Sequence, residues 1–268
     1  VMTLAPDGEG QPRQVYIQLM PPPFSQGWVE NIRTLARAHW YDGLAVMRVQ
    51  DNYVVQWGDP NHDNPESSGP QKPLPEGVGA VREDYTYPRH LDRPRALDPL
   101  FVPPNDVLRW TSFYRGFPVA GVGTPDTERN WPLHCYGMVG VGHGMPPDTG
   151  TGGELYTVIG QAPRHLDRNL ALVGRVVEGI EHLSSLPRGA GAGGFYADPA
   201  RRTRIESIRV ASDLPASERL RFEYLSTESD SFARYVEARA NRRDPFFVVS
   251  GGGADICNIP VPVRPIPG

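Results

Sequence analysis

The feature that most constrains this chain is a double change of hydrophobic period near its start. "VYIQLM" (15–20) alternates along its length and is rich in β-formers, which marks a strand. In "GWVENIRTLARAHW" (27–40), Val29, Ile32, Leu35 and Ala36 recur every three or four residues. Glu30, Arg33 and Arg37 fall on the other side, which predicts an amphipathic helix. "MRVQDNYVVQWGD" (47–59) returns to period two and reads as two apolar strands around a tight turn. Strand, helix, hairpin is the order any fold must accommodate.

That hairpin carries Arg48 and Gln56 among apolar neighbours. A two-residue loop of Asp51 and Asn52 sends the two side chains to opposite faces. A three-residue loop such as Gln50–Asn52 sets Arg48, Val54 and Gln56 on one face. Only the second register makes a shared site, and the sequence leaves both open.

At 268 residues the chain can bury a sizeable core. Its net charge of −4 argues against a nucleic-acid footprint. Glycine and proline, 29 of each, favour turns and short strands over long helices. No stretch approaches the roughly 20 apolar residues of a membrane span. "VMTLAPDGEG" reads as a strand and a turn rather than a signal peptide, so any targeting segment is expected to be absent from this chain. Cys135 and Cys257 are either a buried pair of thiols or one disulfide tying the C-terminal tail to the body; a disulfide implies an oxidising compartment.

Beyond the hairpin, residues 60–79 are polar, Pro-rich and without period, a loop. Residues 80–133 hold short β-like pieces, "LFVPP" and "LRWTSFYRGFPVAGVG", and read as a long excursion rather than a separate domain. "CYGMVGVGHG" (135–144), "ELYTVIG" (154–160), "NLALVGRVV" (169–177) and "IESIRVA" (205–211) are predicted strands, and "EGIEHLSSL" (178–186) a short helix stopped by Pro187. "SDSFARYVEARANR" (229–242) is predicted helical, capped by Ser229 or Asp230. The tail after it is extended and Pro-rich.

Most chemistries find no support. The histidines show no HxH or HExxH spacing, so no metal site and no cofactor are expected. "GTGG" (150–153) lacks the context of a phosphate loop, and no GxSxG elbow is present.

What remains is Arg48 with Gln56 inside "ENIRTLARAHWYDGLAVMRVQDNYVVQWGDP" (30–60), a segment that resembles the cyclophilin signature, "ENFRAL…GYYDG" followed by "FHRVIPGFMIQGGDP". The matching positions are Glu30, Asn31, Arg33, Leu35, Tyr41, Asp42, Gly43, Arg48, Val49, Gln56, Gly58, Asp59 and Pro60. Later, "TGTGGELYTVIG" stands where cyclophilins have a Gly-Ser-Gln-Phe-Phe-Ile strand. "RHLDRNLALVGRVVEGIEHLSSL" stands where they have a leucine–aspartate turn, a strand and a second helix. The resemblance spans roughly residues 1–212, with an insertion near 61–133, and leaves 213–268 uncovered.

The resemblance implies a mainly β fold: a closed antiparallel eight-stranded barrel capped by helices at 28–38 and about 178–186. Residues 1–212 would form it, with residues 213–268 an α-containing extension packed on it. The implied activity is peptidyl-prolyl cis–trans isomerisation, with Arg48 as donor to the prolyl nitrogen, Gln56 positioning either it or the substrate backbone, and Tyr53 in the place of a pocket phenylalanine. Val54, Tyr156, Leu166 and His165 would line the substrate pocket, and Gly144 and Glu154 would lie near the substrate backbone. Implied partners are proline-containing polypeptide clients, without nucleic acid or a membrane span, the chain being expected as a monomer. Likeness to exported bacterial cyclophilins points to the periplasm.

Several positions depart from the pattern. Val46 and Met47 replace a phenylalanine and a histidine, and Leu170 stands at a pocket histidine. Trp57 replaces a glycine beside the site, where it would narrow or reshape it, and Tyr53 and Tyr156 would bring hydroxyls to the pocket rim. These departures, with the insertion and the extension, suit an alternative: a catalytically weak cyclophilin-like module or chaperone that binds polypeptide.

Overall fold

The periods read from the first sixty residues become elements almost residue for residue. A computed structural model describes residues 1–63, 69–82, 84–88, 110–123, 127–249 and 251–266. In chain order its elements are β1 (Met2–Leu4), β2 (Arg13–Leu19), α1 (Gln26–Arg37), β3 (Ala45–Val49), β4 (Val54–Gly58), β5 (Tyr87–Pro88), β6 (Trp110–Tyr114), β7 (Phe117–Val122) and β8 (Arg129–Pro132). These are followed by β9 (Met138–Val141), β10 (Glu154–Val158), β11 (Leu172–Glu178), α2 (Glu181–Ser184), β12 (Ile205–Ile208), β13 (Arg221–Tyr224), α3 (Asp230–Ala240) and β14 (Val263–Ile266).

The chain divides into two units, Val1–Tyr85 with His134–Arg219, and Thr86–Leu133 with Leu220–Gly268. Sequence patterning drew its boundary at 212 and counted the insertion with the barrel. In the structure residues 86–133 group instead with residues 220–268. Patterning cannot foresee this, because the two segments lie far apart in the chain and neither contains the other's pairing signal.

The first unit is an eight-stranded antiparallel sheet in the order β12-β1-β2-β11-β9-β10-β4-β3. Its end strands approach each other. The Ile205 N–H donates to the Leu44 carbonyl (2.7 Å), and the Val46 N–H to that of Thr203 (2.8 Å), so the barrel is nearly closed. Closure leaves few unpaired edges. Trp28, Val29 and Leu35 of α1 are fully buried, as are Val15, Val49, Val55 and Val141 of the strands. Each such side chain contributes roughly 1.5–3 kcal/mol by leaving water.

Helix α1 matches its expected span within a few residues, stopping before His39, whose φ of 57° is left-handed. The second helix is shorter than expected. Strand β11 runs on to Glu178, paired with Tyr16 of β2, so the chain is still extended where a helix was predicted. Only Glu181–Ser184 is helical, burying Leu183. No helix among the described residues is long and apolar enough to cross a membrane.

In the second unit, β5, β8, β7 and β6 form a four-stranded antiparallel sheet, and β13 pairs with β14. Ser229 caps α3 as expected, its hydroxyl accepting from the Phe232 N–H at 3.1 Å. Phe232 is fully buried, edge-on to Phe113 with ring centroids 5.0 Å apart. Strand β13 was not foreseen, although "RFEY" alternates, and the tail expected merely to be extended supplies its partner. "LFVPP" lies outside the described residues.

Candidate active site

The hairpin register settles where Arg48 points. The Gln50 N–H donates to the Val54 carbonyl at 2.9 Å, leaving a three-residue loop, Asp51–Tyr53, one position later than Gln50–Asn52. Arg48 therefore sits directly opposite Gln56, and Tyr156 of β10 lies on the far side of Gln56. Directly paired residues share a face, so all three side chains project on one side of the sheet. A bulge between Val46 and Arg48 resets the alternation at Met47, which lets both Val46 and Met47 turn inward and be buried. Trp57 goes inward as well and is fully buried. It does not line the site, correcting the expectation that it would narrow it: alternation sends residue 57 to the face opposite Gln56.

Arg48 is held from several sides. Its Nη1 donates to Gln56 Oε1 at 3.0 Å, its Nη2 to Gln50 Oε1, and its Nε to the Gly193 carbonyl at 2.6 Å. The guanidinium carbon lies 5.1 Å from the Phe195 ring centroid and 5.6 Å from that of Tyr53, a cation–π arrangement on two sides. Gly193 and Phe195 come from a glycine-rich stretch that runs along the edge of β3, where the Gly189 N–H donates to the Val49 carbonyl and the Tyr196 N–H to that of Met47. Fixing a guanidinium in this way removes rotamer freedom before any substrate arrives.

A cleft of about 190 Å³ opens in front of it, lined by Arg48, Tyr53, Val54, Gln56, Asp63, Gly142, His143, Glu154, Tyr156, Leu166, Leu170 and Phe195. Seven of the nine residues singled out from the sequence meet here. Gly144 and His165 do not line the cleft. The Gly144 N–H is spent on Asp148 Oδ2 at 2.7 Å, and His143 takes the place at the wall. His165 stacks on Tyr53 at 6.0 Å, with its Nε2 3.5 Å from the Tyr53 hydroxyl. Burial raises the pKa of that hydroxyl, with the Arg48 charge opposing.

Glu154 is the electrostatic anomaly of the cleft. Its side chain is buried, and neither carboxylate oxygen has a hydrogen-bond partner among the described residues. Burial pushes its pKa up to about 9, the charges of Asp63 and Asp59 adding to the effect and that of Arg48 opposing it. Glu154 is therefore a neutral acid at neutral pH. Asp63 is differently placed: its Oδ2 accepts from the Thr151 N–H (2.9 Å), the Thr151 hydroxyl (2.8 Å) and the Gly153 N–H (3.1 Å), which ties the loop before β10 to the wall.

Tyr156 also differs from expectation. Its hydroxyl is not at the rim but 2.7 Å from Nε2 of His134, a fully buried histidine. His134 Nδ1 is 2.8 Å from Asp167 Oδ1, and Arg164 Nε donates to Asp167 Oδ2 at 2.5 Å. Sequence reasoning missed Asp63, His143, Phe195, His134 and Asp167. Phe195 and Asp63 sit in loops without period. His134 lies in the loop between β8 and β9, and only the fold brings it to Tyr156 of β10.

A family model for cyclophilin-type peptidyl-prolyl cis-trans isomerases matches residues 26–210. The chain belongs to the cyclophilins. Its activity is that of the family, isomerisation of X-Pro peptide bonds. The cyclophilin AquaCyp293 of Hirschia baltica is 20% identical, with a TM-score of 0.72 over 98% of this chain and 90% of its own, and shares the fold. A Cryptosporidium parvum cyclophilin-type isomerase, crystallised in the presence of the dipeptide Ala-Pro, is 11% identical with a TM-score of 0.45, over 78% of this chain and 98% of its own. No protein of curated function matches the sequence. As in other cyclophilins, proline-containing peptides are the ligands this cyclophilin takes.

Proposed function

We propose that Arg48 is the group that lowers the isomerisation barrier, by donating a hydrogen bond to the prolyl nitrogen. Partial double-bond character sets a barrier of about 18–20 kcal/mol to rotation of a peptide bond. Drawing the nitrogen lone pair out of resonance weakens that character, and each ~1.4 kcal/mol removed gives about tenfold in rate. Neither nucleophile nor proton shuttle is required, only a preorganised donor beside a dry wall. The observation that carries the reading is Arg48 held opposite Gln56 on a cleft whose wall includes the apolar and aromatic side chains of Tyr53, Val54, Tyr156, Leu166, Leu170 and Phe195 beside Asp63, His143 and Glu154. In this reading Gln56 positions the guanidinium, the apolar wall takes the prolyl ring, and Glu154 faces the substrate backbone. Gly144 and His165 act from the rim.

Exchange NMR on a short X-Pro peptide tests it without a coupling protease. Arg48→Ala is expected to lose about a hundredfold or more in kcat/KM, the scale of removing one preorganised donor. An Arg48→Ala protein that turns over like the parent assigns the role elsewhere.

A second reading, a polypeptide-binding module with weak turnover, draws on one observation. Phe246, Val248 and Val249 form a short run that is 79–97% exposed, unusual for apolar side chains in sequence. Tight peptide binding without acceleration in the same assay favours it. We also infer folding of clients in an oxidising compartment such as the periplasm, supported by the fact that neither cysteine is a free thiol, action without nucleic acid, supported by the acidic net charge, and action as a monomer.

A further inference from the structure

Tyr156 is held in a way that the chemistry of X-Pro rotation does not itself demand. Its ring lies over bare backbone: a Cβ placed on Gly140, its neighbour across the β9–β10 ladder, would fall 2.3 Å from the ring and its hydroxyl. The ring therefore packs directly on the Gly140 backbone and is nearly fully buried. Its hydroxyl adds a directional tether that apolar packing lacks, reaching His134 Nε2 at 2.7 Å with the two rings near-parallel at 8°.

The direction of that hydrogen bond follows from the other end of the network. Asp167, bound by Arg164, accepts from both the His134 backbone N–H (3.0 Å) and Nδ1 (2.8 Å). An ionised carboxylate can only accept, so Nδ1 carries the histidine proton and Nε2 is left as an acceptor. The Tyr156 O–H must then donate to it. Its hydrogen points away from the cleft, and the substrate meets the ring rather than the polar group.

We propose that His134 is a positioning residue for the proline-binding cleft, fixing Tyr156 by its hydroxyl so that the ring stands as a rigid apolar wall. The inference rests on the reading that the cleft takes the prolyl ring beside Arg48. It gives this cyclophilin an acid-sensitive wall. Burial lowers the His134 pKa below the ordinary histidine value; the hydrogen bond and charge of Asp167 oppose that, and the charges of Arg164 and His165 add to it. Once His134 is protonated, Nε2 donates, the Tyr156 oxygen must accept, and the tyrosine hydrogen turns elsewhere.

The test compares Tyr156→Phe with the parent chain in the exchange assay, as kcat, KM and pH profile, with Arg48→Ala alongside. Removing the tether alone is expected to raise KM about three- to tenfold, the worth of one neutral hydrogen bond, with kcat changed far less. It is also expected to flatten an acid limb of kcat/KM that lies below the ordinary histidine range in the parent. His134→Leu should raise KM similarly, and adding Tyr156→Phe to it should cost nothing further. Should His134→Leu not fold, the KM shift and lost limb of Tyr156→Phe decide the matter. Parent-like KM and an unchanged limb in Tyr156→Phe overturn the inference, as do additive effects of the pair. If Arg48→Ala remains fully active, the reading of the cleft fails instead.

Discussion

Glu154 sets the pH response of the folded barrel. In an unfolded chain its carboxyl titrates near 4.3, whereas the folded protein keeps the proton to about 9 because burial penalises the anion. Between those values the native state holds a proton that the unfolded state has released, so stability falls as pH rises. The slope is on the order of 1.4 kcal/mol per pH unit and levels off above the folded value. Glu154→Gln keeps the shape and cannot ionise. Its urea midpoint is expected to exceed that of the parent by a margin that widens from pH 5 to pH 9. Parallel pH curves for the two proteins would show that Glu154 ionises in the folded state after all. Arg48 and Gln56 were legible in the sequence because a fixed motif spacing marks them. The state of Glu154 was not, since it depends first on burial and then on the charges of Asp63 and Asp59, which the fold sets beside it just past the end of β4.

Hairpin β3–β4 is the element on which the site depends, and its register is what the sequence left undecided. Period two fixed which residues alternate but not where the loop begins. Three features outside the hairpin hold the tip. Asn52 takes a left-handed φ of 51°, tolerable for asparagine, while its side-chain oxygen accepts from the Gln161 N–H at 2.8 Å. The Ile159 N–H donates to the Tyr53 carbonyl at 2.9 Å. Gly160 lies so close that a Cβ there would fall 2.0 Å from the Asn52 carbonyl carbon and 2.5 Å from the Tyr53 nitrogen, both backbone atoms that cannot step aside. Gly160→Ala is therefore expected to cost about 1–3 kcal/mol by overpacking and to weaken peptide binding by displacing Tyr53. Gly8→Ala, with nothing within 4 Å of the new methyl, serves as the control. Equal melting temperatures for the two variants would show that the tip is not clamped. Helix α1 was readable for the opposite reason, its amphipathic pattern being local. Helix α2 was overstated because pairing with β2 kept residues up to Glu178 extended.

For the whole molecule, the barrel was legible because strand and helix signals arrive in a recognisable order, whereas the second unit was not. Its sheet lies in the insertion and its helix and remaining strands after residue 219, and no local pattern announces that the two belong together. Oxidation state is likewise a property of the whole chain. Denatured protein is expected to consume no thiol reagent before reduction and to react at both Cys135 and Cys257 afterwards. Labelling at either position without reductant would remove the support for an oxidising compartment.

The split origin of the second unit also has a consequence on the ribosome. Strands β6, β7 and β8 are synthesised well before helix α3, whose Phe232 packs on Phe113. Residues 134–219 must be made in between, which at roughly 5–20 residues per second takes on the order of ten seconds. Through that interval Phe113 is outside the peptidyl-transferase centre without the aromatic partner that covers it. An isomerase of X-Pro bonds thus carries, in its own biogenesis, an interval in which a nascent β-sheet is open to capture by chaperones.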